Sequence, residues 1–119
     1  MPDLSRKEVI QILATTHQAR LAGVDLSGLD LSGLNFAGAD LIRANLSGAD
    51  LTNAYMRHTQ LEAANLEGAV LVNANLKEAN LKECKIKGAN LSGTNLTDAN
   101  LFGVELDPKQ KSQAKGLMW

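Results

Sequence analysis

Aromatic rings and cysteines are nearly missing from this chain: aromatics make up 3% of its 119 residues, and there is one Cys. With so few rings, the interior of a single small domain has to be narrow and built from Leu and Ala. The lone Cys84 excludes an intramolecular disulfide framework, and its position, where Ala otherwise recurs, marks it as a packed, reduced thiol. No apolar run is long enough to cross a bilayer, and the start, Met1-Pro2-Asp3-Leu4, has no apolar targeting segment. A cytoplasmic location without membrane contact is therefore expected. A concentrated basic face is also lacking, which argues against direct nucleic-acid binding. The net charge of −1 hides an uneven distribution, since residues 21–107 hold eleven acids against six bases and residues 108–119 hold three Lys and no acid.

What the chain does have is a period of five. From residue 24 to 106, a large apolar side chain recurs at Leu26, Leu31, Phe36, Leu41 and every fifth position to Leu106, seventeen in all, without a slip. A small residue precedes most of them by two places, usually with Asp or Asn between. A helix cannot use this pattern, because five residues advance about 500° and scatter the Leu positions around its circumference. A short extended side followed by a corner can, since alternation turns the large and the small residue inward together. After each Leu come Ser, Thr, Glu or Lys and then, in many units, Gly, the residue that corners favour. The period alone allows three or four such sides per coil.

Units such as Ala39-Asp40-Leu41-Ile42-Arg43, Ala49-Asp50-Leu51-Thr52-Asn53 and Ala89-Asn90-Leu91-Ser92-Gly93 resemble the pentapeptide repeat family. The resemblance covers about residues 22–108. It implies an all-β solenoid, a right-handed quadrilateral β-helix of four units per coil, hence about four coils and a body roughly 20 Å tall. Val24, Leu29 and Leu34 at the small position point to a wider first coil. The Asp and Asn residues are expected to bond nearby backbone and to stack in ladders that hold register.

Three segments follow: an N-terminal helical cap (1–20), the repeat β-helix (21–107) and a C-terminal cap or dimerisation tail (108–119). Ser5-Arg6-Lys7-Glu8 is a capping box, with Leu4 and Val9 spaced as a hydrophobic staple, so a helix is expected over Arg6–Ala19. Asp107 and Pro108 open a short polar helix that Gly116 ends. Leu117, Met118 and Trp119 either fold back over the last coil or join two molecules end to end, so the chain is expected as a monomer or such a homodimer.

Candidates for chemistry are few. His17 reads as a cap residue. His58, Glu78 and Asp98 are twenty residues apart in turn and so share a column, but a flat column supplies no tetrahedral ligation. No metal, cofactor or catalytic residue is assigned. Stacking by twenties also sets Glu62 beside Lys82, Glu67 beside Lys87 and Lys85 beside Glu105, whereas Arg57 and Lys77 form a like-charged pair able to receive an anion. Apolar residues at outward positions gather at Tyr55, Val70 and Val72. Together with Arg57, Lys77, Leu117, Met118 and Trp119 they make the candidate interaction surface.

The expected function is a noncatalytic protein-interaction scaffold whose partner is another protein of unknown identity. Similarity to quinolone-resistance members of the family implies an alternative, a DNA-mimicking modulator of DNA gyrase. Magnitudes oppose it, because about 20 Å of duplex carries roughly 12 negative charges and this body nets −5, eleven acids against six bases. An enzyme or metal-binding protein ranks last.

Overall fold

The computed structural model describes residues 2–16 and 18–117. Parallel bridges join residues twenty apart, from Arg20 with Asp40 to Asn95 with Lys115. That interval settles the number of sides at four. The first face carries Arg20, Asp40, Gln60, Asn80 and Asn100, and the second Asp25, Asn45, Asn65 and Lys85. The third carries Asp30, Asp50, Val70 and Asn90, and the fourth Asn35, Tyr55, Asn75, Asn95 and Lys115.

Each unit is shaped by its corner. The Ala44 N–H donates to Leu41 C=O at 3.0 Å, and the same four-residue turn recurs along the body. Its third residue is left-handed, at φ 66° for Gly48 and 59° for Ala63. Glycine suits that conformation, while a Cβ costs about 1–2 kcal/mol there. Ala63→Gly is therefore expected to raise stability by up to about 1 kcal/mol, after the extra freedom of the unfolded chain is subtracted. A denaturation midpoint at or below that of the parent protein contradicts this.

The Asp and Asn residues act locally. The Asp40 carboxylate accepts the Ile42 N–H at 3.1 Å and the Asn45 amide oxygen accepts the Ser47 N–H at 3.0 Å, each closing its own turn. Side-chain ladders between coils are a minor feature: Asn80 Nδ2 donates to Gln60 Oε1 at 3.4 Å. Register is held by backbone rungs such as Leu61 N–H to Asn80 C=O at 2.8 Å.

Leu residues of all four faces fill the centre and are fully enclosed from Leu26 to Leu81. Small residues let the turns approach, and three of them also bond. Thr59 Oγ1, Cys84 Sγ and Thr94 Oγ1 donate to the carbonyls of Phe36, Leu61 and Leu71, each twenty-three residues earlier. In the first coil Val24, Leu29 and Leu34 are half-buried, and the turn bonds of Leu29 and Leu34 lengthen to 3.4 Å while the rungs keep their length. The bulk is accommodated at the corners.

The coil starts one unit earlier than the sequence pattern. Ala19 and Leu21 are buried, and Asp40 N–H donates to Ala19 C=O at 2.8 Å. Helix α1 accordingly spans Arg6–Thr15, shorter than the expected Arg6–Ala19. The Thr15 and Thr16 hydroxyls bond the carbonyls of Gln11 and Ile12, satisfying the helix end before the chain turns into the first coil. Helix α1 keeps its capping box and buries Val9.

Both ends of the stack are closed by groups that stand in for an absent coil. At the start, Asp3 exchanges bonds with the Asp25 backbone, and Arg6 donates to the carbonyls of Asp30 and Ser32. At the other end, helix α2 (Pro108–Gln113) has a capping box of Asp107 and Gln110. Gln110 is buried, and its Nε2 donates to Ile86 and Ala89 C=O at 2.8 and 3.1 Å. Gln113 Oε1 accepts the Leu91 N–H. The chain then regains register, with Lys115 paired to Asn95 and Leu117 half-buried against the core. Up to Leu117, then, the tail folds back; Met118 and Trp119 lie outside the described residues.

Candidate interaction surface

Outward side chains stand on two neighbouring faces because extended sides alternate inward and outward. Val70 is on the third face, Val72 on the corner that leads to the fourth, and Tyr55 on the fourth face bridged to Asn75. Tyr55 is 41% exposed, whereas Val70 and Val72 are half-buried. Arg57 and Lys77 occupy the next corner one coil apart, with His58 N–H donating to Lys77 C=O at 3.2 Å. Register thus gathers these five residues across adjacent faces. Leu117 follows two residues after Lys115, at the top of that fourth face. Met118 and Trp119, and His17 of the cap, lie outside the described residues.

Tyr55 and Val70 replace the Asp or Asn that elsewhere closes a turn. Where Asp50 accepts the Thr52 N–H at 3.0 Å, Val70 has no group to offer Val72. A local bond is given up for an apolar surface.

Arg57 is not half of a like-charged pair. Its Nη2 reaches Glu78 Oε1 at 2.8 Å, and Glu78 Oε2 lies 3.4 Å from His58 Nε2. Glu78 sits at the left-handed corner position, φ 61°, which aims it down toward the preceding coil. Its hydrogen bond to Arg57, followed by the charges around it, holds the Glu78 carboxyl below its ordinary range and raises the guanidinium. A carboxylate already fills the place where an anion was expected. Asp98 stays out of this cluster, and among the described residues no three His, Cys, Asp or Glu groups are placed to hold a metal ion.

The other expected charge stacks do not close either. Glu62 with Lys82, Glu67 with Lys87 and Lys85 with Glu105 make no ion pair among the described residues; Lys82 Nζ instead lies 5.8 Å from the centre of the Phe102 ring. These positions carry long side chains that are partly or fully exposed, and such pairs hold only weakly in water.

Cys84 offers no reactive thiol. Burial pushes it up to about 12, and its Sγ donates to Leu61 C=O at 2.8 Å. A raised thiol disfavours the folded state only once the unfolded chain ionises. Stability tied to Cys84 is therefore complete below about pH 8.5 and declines as pH rises toward 12. At pH 8, a thiol reagent in native buffer is expected to label Cys84 no faster than the protein unfolds, and Cys84→Ser, which keeps the donor, is expected to fold normally. Rapid native labelling contradicts this burial.

Comparison with known proteins agrees with the geometry. A family profile described as pentapeptide repeats matches eight copies over residues 19–57, 54–93 and 79–107. No curated protein sequence matches significantly. Among solved structures, the pentapeptide repeat protein Rfr23 from the cyanobacterium Cyanothece 51142 is 41% identical, with TM-score 0.55 over 77% of this chain and 59% of that one. HetL, involved in heterocyst differentiation regulation in the cyanobacterium Nostoc sp. strain PCC 7120, is 34% identical, with TM-score 0.50 over 71% and 41%. The matched region thus spans 59% and 41% of those two chains. This chain belongs to the pentapeptide repeat family, whose members wind as right-handed β-helices.

Proposed function

We propose that this protein is a noncatalytic, cytoplasmic interaction scaffold that binds another protein through the third and fourth faces. The observation that carries the reading is the substitution of Tyr55 and Val70 for turn-closing Asp or Asn, with Val72 beside them. A repeat that served stability alone has no use for these departures. Aromatic and aliphatic anchors next to a charged rim are what a protein partner uses. Here the rim is Lys77 and the Arg57–Glu78 pair. The regulatory involvement of HetL fits a protein that acts by binding. Duplex mimicry has less support, since the body nets −5.

The test restores the repeat. A variant with Tyr55→Asn, Val70→Asn and Val72→Ser regains two turn bonds, so its melting temperature should equal or exceed that of the parent. Affinity capture from native lysate is expected to recover a partner with the parent and to lose it with the variant. Equal recovery by both sinks the assignment of these faces, and turnover of a small molecule by the purified protein sinks the noncatalytic reading.

A further inference from the structure

We draw no further inference here: the strongest candidate, the wedge of about 640 Å³ between the second face at Lys85 and Lys87 and the segment leading into α2, mixes those two ammonium groups with the carboxylates of Glu67, Glu83, Glu105 and Asp107, and nothing in the structure shows what covers it.

Discussion

Leu61→Ala is expected to lower the unfolding free energy by about 4 kcal/mol, toward the upper part of the range for buried Leu truncations. Leu61 is fully enclosed in the third coil, with Leu41 and Leu81 one coil below and above it on the same face. The hole left by the side chain has no easy way to collapse. Leu61 N–H is tied to Asn80, and its carbonyl accepts both Ala64 N–H and Cys84 Sγ, so the backbone on either side is pinned. For a chain of this size the loss corresponds to a melting temperature lower by roughly 15 °C. Leu101→Ala is the control, since Leu101 is in the last, incomplete coil and half-buried. Its expected cost is about 1–2 kcal/mol, because part of that surface is already in water. Circular dichroism during thermal melts of both variants checks the contrast. Equal losses would mean that the centre of the column is no more tightly packed than its end.

That contrast depends on the part of the molecule most plainly written in its sequence. The five-residue interval names the enclosed side chains from Leu26 to Leu96 because each sits in the same environment, repeated. The start is harder to see: Arg20 occupies the place of Asp or Asn, so the sequence assigns Ala19 and Arg20 to the helical cap although Arg20 makes the first rung with Asp40. The ends are legible only in part for a related reason. Capping boxes at Ser5 and Asp107 are local and can be read from neighbours in sequence. The roles of Arg6, Gln110 and Gln113 are not local, because each reaches backbone more than twenty residues away. Stacking by twenties predicts which positions are neighbours and says little about where long side chains point. Arg57 and Lys77 do share a corner, but Glu78 is one residue on and takes the guanidinium. Lys82 turns to Phe102 and leaves Glu62 unpaired for the same reason of reach. Backbone register was thus recoverable from the period, whereas the surface needed coordinates.

Val9→Asp is expected to detach the N-terminal cap and leave the solenoid wound. Val9 is the buried residue of α1 and is fully enclosed. Leu4, Ile12 and Leu13 are half-buried around it against the core. A carboxylate placed there gains no partner, and burying it costs several kcal/mol, more than the contacts of one short helix return. Ten residues are also too few for α1 to persist in water once undocked. Repeat units contact only their neighbours, so the damage stops where the rungs begin. Three readings should change together: helical circular dichroism falls, amides of Asp25 and Leu26 exchange faster, and concentration-dependent association appears as the first coil is uncovered. The main melting transition should shift by less than that of Leu61→Ala. Val9→Leu keeps the apolar contact and should leave all of these near the parent values. A single transition for Val9→Asp with a loss as large as Leu61→Ala would show instead that cap and coil unfold as one unit.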